Sequence, residues 1–381
     1  MEPLPSSVLP AGIRSRILHD INGLADVHIL EAGYETKGRP AVLLLHGYPE
    51  LAWSWRKILP ALAAAGYHAI APDHRGYGRT SGTTTDYDSD ISGFRFLNLL
   101  RDEIGILYAL GHRTVEAVVG HDFGAAVASF LALVRPDIFK RMVLMSAPYG
   151  GIGAVPFDTD GKPAPVSKGP DIHAALAALP RPRKHYQWYQ STRPANENQW
   201  HAKQGIHAFL RAYYHHKSAD WKANKPFELE GWTADELAKM PTYYIMDLAD
   251  GMAEGVAQEM PSAAEIASNT WLTEADLKVY SDEFARTSFQ GGMNWYRVRT
   301  TGLVGREYEA FTGRTIDQPS TFISGASDWG NYQTPGALQR MQKSACTNMK
   351  EIHMVPGAGH WVQQEQADVV NRLLLRFLNS T

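Results

Sequence analysis

From about residue 26 to 147, short and almost uninterrupted apolar runs alternate with longer amphipathic stretches. The runs are Val27 to Leu30, Ala41 to Leu45, His68 to Ala71, Val115 to Val119 and Met142 to Met145. A strand that is apolar at every position is buried on both faces, so the pattern predicts an α/β fold with a mostly parallel central sheet flanked by helices. One of those helices is explicit. Gly124 to Arg135 places Val127, Phe130, Leu131 and Val134 on one face and stops before Pro136.

The alternation breaks between about Pro148 and Gln318, where Pro-rich and Gly-rich stretches and helical segments replace strands of comparable quality. Two of the helical starts, Thr233 to Glu236 and Thr273 to Asp276, fit a capping box, and the second opens a helix with Leu277, Tyr280 and Phe284 on one side. A strand at Ser320 to Ser324, a helix, a strand at Glu351 to Val355 and a terminal helix from about Glu365 to Leu378 then resume the α/β pattern. One domain is thus interrupted by another. The division is 1–147 for the first part of the core, 148–318 for a large, mainly helical insertion and 319–381 for the second part of the core. A helical insertion over the carboxyl ends of a parallel sheet is a natural lid, because ligands of such folds bind outside those ends.

Composition narrows the partners more than the chemistry. With 381 residues, 44% apolar and 20% charged, the chain has ample material for a core. A net charge of −3 argues against a nucleic-acid or anionic-membrane partner, both of which usually demand a basic excess. The single cysteine, Cys346, excludes an internal disulfide framework and any multi-cysteine metal site, and fits a small packing residue in a reducing compartment. No apolar run approaches the roughly 20 residues that span a bilayer, and Met1 to Pro10 has neither a basic nor a continuous apolar segment. A cytoplasmic protein is expected. His215-His216 lacks metal-ligand spacing and Gly150-Gly151-Ile152-Gly153 lacks a dinucleotide fingerprint, so no metal and no cofactor is implied.

The sharpest local feature is Gly120-His121-Asp122-Phe123-Gly124-Ala125, between an apolar strand and a helix. Small residues on both sides of a central nucleophile permit the tight strand-to-helix turn that exposes it, and here the centre is Asp where ester hydrolases carry Ser. An Asp that merely caps the helix is the competing explanation. Two more residues weigh against it. Asp328 follows the strand at Ser320 to Ser324, and His360, in Gly357-Ala358-Gly359-His360-Trp361, follows the last strand. Nucleophile, acid and base then occur in the chain order this fold class uses. His46-Gly47-Tyr48-Pro49 follows Leu43-Leu44-Leu45 and would place the Tyr48 amide, with that of Phe123, at an oxyanion hole, although a plain strand-to-helix turn would look the same.

These motifs together resemble the epoxide hydrolases of the α/β-hydrolase fold: HGYPE at 46–50, APDHRGYGRTSG at 71–82, VGHDFGA at 119–125, NWYR at 294–297 and GAGHW at 357–361. The resemblance implies a covalent alkyl ester on Asp122, hydrolysed by water that His360 and Asp328 activate. It also implies two lid tyrosines on the epoxide oxygen, which match Tyr296 in NWYR and Tyr186 in His185-Tyr186-Gln187-Trp188-Tyr189. A carboxylate nucleophile suits alkylating substrates, since its ester stays open to water whereas an ether on Ser would not. A haloalkane dehalogenase shares that nucleophile but commonly follows it with a tryptophan that binds halide, and Phe123 has no N–H. A non-catalytic ligand-binding protein on the same fold is the alternative of another class. Six of the 10 tryptophans and ten of the 17 tyrosines fall in 148–318, which suggests a small apolar or aromatic epoxide as substrate beside water. The stretch around 218–267 is extra material for such a lid and leaves a homodimer open.

Overall fold

The computed structural model describes residues 1–153 and 171–380. In chain order the strands are β1 (Arg14–Ile21), β2 (Leu24–Ala32), β3 (Ala41–Leu45), β4 (His68–Pro72), β5 (Ala117–His121), β6 (Met142–Met145), β7 (Arg183–His185), β8 (Ile245–Asp247), β9 (Ser320–Gly325) and β10 (Met349–Val355). Among the described residues, eight of them form one sheet in the order β1-β2-β4-β3-β5-β6-β9-β10. Pairing is antiparallel for β1 with β2 and for β2 with β4, and parallel from β4 onward. Every residue of β3, β4, β5 and β6 is buried, which is why these strands read as continuous apolar runs. The run read as Val115 to Val119 is shifted by two: Val115 makes an isolated bridge with Phe139, and β5 continues through the apolar-flanked Gly120 to His121.

The helices that cover the sheet are α1 (Leu59–Ala64), α2 (Phe96–Ala109) and α3 (Phe123–Val134) from the first part of the chain. Here α3 packs on β5 and β6 with α2 beside it, and α1 packs on β4. Because β6 pairs directly with β9, the described residues of the stretch between them lie outside the main sheet. Its described part consists of α4 (Ile172–Ala177), α5 (Tyr186–Gln190), α6 (Arg193–Trp200), α7 (Ile206–Lys217), α8 (Ala234–Leu237), α9 (Met252–Ala257), α10 (Ala263–Ser268), α11 (Glu274–Thr287), α12 (Gln290–Thr300) and α13 (Leu303–Glu309). Strands β7 and β8 pair with each other inside it, a short sheet whose three-residue strands are too brief to leave a period in the sequence.

The capping box at Thr273 closes on both sides, with Thr273 Oγ1 accepting from Asp276 N at 3.2 Å and Asp276 Oδ2 accepting from Thr273 N at 3.0 Å. At Thr233 only half forms. Its hydroxyl accepts from Glu236 N at 3.4 Å, but the Glu236 carboxylate turns instead to Glu230 N and Lys239. A lysine three residues on competes for the carboxylate that the box needs. The chain ends in α14 (Ala337–Arg340), α15 (Val362–Glu365) and α16 (Ala367–Ser380), the last packed beside α1. Among the described residues no helix is long and apolar enough to cross a membrane.

Arg56, buried between the sheet and the inserted helices, ties the two together. Its guanidinium donates to Asp276 Oδ1 at 2.7 Å, Gln364 Oε1 at 2.8 Å and Trp271 O at 3.1 Å. Cys346 is buried and its thiol is pushed up to about 12 by that burial, in keeping with a packing role.

Candidate active site

The order of the strands reverses around β3, since the chain runs from β3 to β4 on one side and β5 flanks it on the other. The crevice outside the carboxyl ends at such a reversal is where ligands of parallel sheets bind. The loop after β3 brings His46 to Tyr48 there, and the turn after β5 brings Asp122. Asp328 follows β9 by three residues and His360 follows β10 by five.

Asp122 sits at the turn itself with φ 54° and ψ −117°, a left-handed backbone in which a residue other than glycine is strained. The turn is tight enough to exclude side chains next to it. A Cβ on Gly120 would lie 2.1 Å from Gly124 O, and one on Gly124 would lie 2.1 Å from Leu45 O. The side chain of Asp122 makes no capping hydrogen bond to α3, so the capping explanation does not hold. Instead Oδ1 accepts from the Tyr48 backbone N–H at 3.1 Å. Phe123 begins α3, and its ring meets those of Tyr296 at 4.6 Å and Trp295 at 5.8 Å.

His360 Nε2 lies 3.4 Å from Asp122 Oδ2 and its Nδ1 lies 3.1 Å from Asp328 Oδ1. The first contact is too long and poorly aligned to be a hydrogen bond, which leaves Nε2 buried without a partner. The second orients the ring. Asp328 Oδ1 also accepts from Gly330 N at 2.7 Å and Oδ2 from Ser324 Oγ at 3.3 Å. Burial alone would raise both carboxyls. For Asp122 the nearby His360, then the charges of Lys217 and His121, outweigh burial and hold it well below the usual carboxylate range. For Asp328 the charge and hydrogen bond of His360 do the same, helped by Gly330 N–H.

A cavity of about 470 Å³ opens on Asp122 and is lined by Phe123, Tyr149, Tyr186, Tyr308, Arg299 and Gln333 among others. Tyr186 Oη donates to Gln333 Oε1 at 3.0 Å. Tyr296 does not line this cavity. Its ring crosses that of Tyr186 with centroids 5.8 Å apart, and among the described residues its hydroxyl makes no hydrogen bond. Burial raises both phenols above the ordinary tyrosine value, with the Asp122 charge adding to it. The seven residues singled out in the sequence therefore lie together, five by side chain and two by backbone. None of the tryptophans of the inserted segment lines the cavity, although Trp295 packs its ring against that of Phe123. Trp188 and Trp232 are exposed.

Three charged groups beside the site had no role in the sequence reading. Glu50 Oε2 accepts from His121 Nδ1 at 2.5 Å and from Gly47 N at 3.0 Å. His121 Nε2 donates to His360 O at 2.7 Å. An imidazole between two acceptors carries a proton on each nitrogen, and Glu50 lifts its pKa in spite of burial. Both residues stand inside the HGYPE and VGHDFGA motifs, which is the signal that could have found them. The third group is Lys217, at the end of α7, which no motif marks.

A family model described as alpha/beta hydrolase fold matches residues 40–367. Epoxide hydrolase B of Mycobacterium tuberculosis (strain ATCC 25618 / H37Rv) is 31% identical over 342 residues, which cover 89% of this chain and 91% of that protein. An epoxide hydrolase of Caballeronia sordidicola is 32% identical over 361 residues, 94% of this chain and 92% of its own. Among solved structures, an epoxide hydrolase from an endophytic Streptomyces superposes with a TM-score of 0.74 at 30% identity, covering 97% of this chain and 96% of that one.

Proposed function

The chain belongs to the epoxide hydrolases of the α/β-hydrolase fold and hydrolyses epoxides, and from that premise we propose that Asp122 is the residue the epoxide alkylates. The observation that carries this reading is Asp122 itself, an ionised carboxylate on a strained backbone that lines the cavity with His360 Nε2 3.4 Å from its Oδ2. In the first step Asp122 attacks an epoxide carbon, the C–O ring bond breaks, and the oxygen takes its electron pair and a proton from Tyr186 or Tyr296. An alkoxide is far more basic than a phenolate of pKa about 10, so the proton moves late in ring opening.

In the second step His360, oriented by Asp328, takes a proton from water, and the hydroxide attacks the carbonyl carbon of the Asp122 ester. The Tyr48 and Phe123 amides form the oxyanion hole, the first already 3.1 Å from Asp122 Oδ1. Collapse expels the diol oxygen, which takes a proton from the imidazolium, while the proton of the new carboxylic acid restores the tyrosine. We read 148–318 as a cap over a core made of 1–147 and 319–381, supported by the direct pairing of β6 with β9. The substrate is a small epoxide with an apolar or aromatic body, supported by Phe123, Tyr149 and Tyr308 in the lining of the cavity that opens on the carboxylate rather than by the cap tryptophans.

The test is His360→Gln, rapid quench with styrene oxide, and intact mass. A substrate-sized adduct that maps to Asp122 is expected to accumulate, and its absence in a folded variant sinks the covalent mechanism. The shifted groups also fix a pH window. Asp122 reacts when ionised, above its lowered pKa, and the tyrosines react when protonated, below their raised pKa values. Both forms coexist across neutrality, so single-turnover ester formation should change by less than about threefold between roughly pH 5 and 9. A tenfold change in that window would show that another group limits the first step.

A further inference from the structure

Lys217 is 2% exposed, at the last position of α7. Among the described residues no carboxylate lies within 4.0 Å of its ammonium and Nζ makes no hydrogen bond. Four rings surround it instead: Tyr244 at 4.9 Å, Tyr213 and Trp361 at 5.4 Å each, and Tyr243 at 5.8 Å from Nζ to the ring centroids. Aromatic faces hold a desolvated cation through their quadrupoles without neutralising it. The cage is fixed to the catalytic loop. Lys217 O accepts from His360 N at 2.9 Å, and the caging ring of Trp361 stands 4.6 Å from that of His360. Burial lowers the pKa of this ammonium, and the charges of Asp122, Asp328 and Glu50 oppose the drop.

A buried lysine without an ion pair costs stability, so its place in the fold calls for another account. We infer that Lys217 is a positioning residue whose fixed positive charge acts through Asp122 to favour hydrolysis of the alkyl ester over its formation. The inference rests on the reading of Asp122 as the alkylated group. In the first step negative charge leaves Asp122 for the epoxide oxygen and the tyrosines, away from the cage. In the second step it returns, first on the oxyanion of the ester carbonyl and then on the carboxylate. A fixed cation bonded to the catalytic loop through its backbone, whose charge reaches Asp122, stabilises the carboxylate at the start of the first step and at the end of the second, so it holds the first back and draws the second forward.

Rapid-quench single turnover with styrene oxide separates the two rates in wild type, Lys217→Met and Lys217→Arg. In K217M, ester hydrolysis should slow about 10-fold or more while ester formation is unchanged or faster, so that the covalent ester accumulates at steady state. The melting temperature should rise, because an apolar side chain replaces an unpaired buried charge. K217R should restore the wild-type partition between the steps. Equal slowing of both steps, or a fall in melting temperature with an unchanged partition, overturns the inference and leaves a structural role. If K217M does not fold, K217Q carries the same comparison. If wild type and H360Q form no ester at all, the reading of Asp122 fails first and this inference fails with it.

Discussion

Asp122→Ala is expected to lower kcat/KM on epoxides by at least about 10⁴-fold, because no other group in the cavity can form the ester. The cavity lining bears this out in chemical terms. Asp122 is its one acidic side chain among the described residues, and the tyrosines beside it are held protonated. Stability should respond far less than activity. The substitution removes a half-buried carboxylate but keeps a non-glycine residue at φ 54°, a conformation that alanine tolerates worse than aspartate or asparagine. Asp122→Asn is therefore the companion variant. It keeps the shape and the backbone preference, and should be as inactive in its first turnover as the alanine variant. Diol formation with styrene oxide and circular dichroism melting are the two measurements. Residual turnover above about 1% of wild type in both folded variants would remove Asp122 from its role, since loss of a covalent nucleophile leaves only binding and the remaining electrostatics.

What could be read in the sequence depended on how local each signal was. The inner strands were legible because burial on both faces removes polar residues from them altogether, as in Ala41–Leu45. The elbow was legible because its small residues are demanded by contacts within a few positions, as Gly120 against Gly124 O shows. Asp328 and His360 were legible as residues just beyond strands, where a parallel sheet puts its functional groups. Lys217 was not, because a lysine that ends a helix looks the same in sequence whether it faces water or four rings. Nor was Arg56, whose partners Asp276, Trp271 and Gln364 are more than 200 residues away. The aromatic content of the insertion was legible only in part, for a related reason. Composition locates rings along the chain, but only packing decides whether a ring lines a cavity, cages a cation or fills a core, and Trp295 donates to Arg75 O at 3.0 Å.

The two tyrosines allow a test in which stability and catalysis separate. Tyr296→Phe removes a hydroxyl that has no hydrogen-bond partner among the described residues, so the melting temperature should hold or rise. Tyr186→Phe removes a donor to Gln333 and an acceptor for Gln187 Nε2 at 3.2 Å, so a modest loss of stability is expected there. Each single variant should lose roughly 10- to 100-fold in kcat, because the second phenol still protonates the ring oxygen, and the double variant about 10³-fold or more. The loss should fall on ester formation and spare ester hydrolysis, the reverse of the pattern expected for Lys217→Met. That opposition decides whether the two ends of the site act on different steps. If Y186F/Y296F slowed hydrolysis of the ester as much as its formation, the tyrosines would be shaping the cavity rather than donating a proton. If Tyr296→Phe alone were silent, its absence from the lining of the cavity would be the reason, and Tyr186 would be the sole donor.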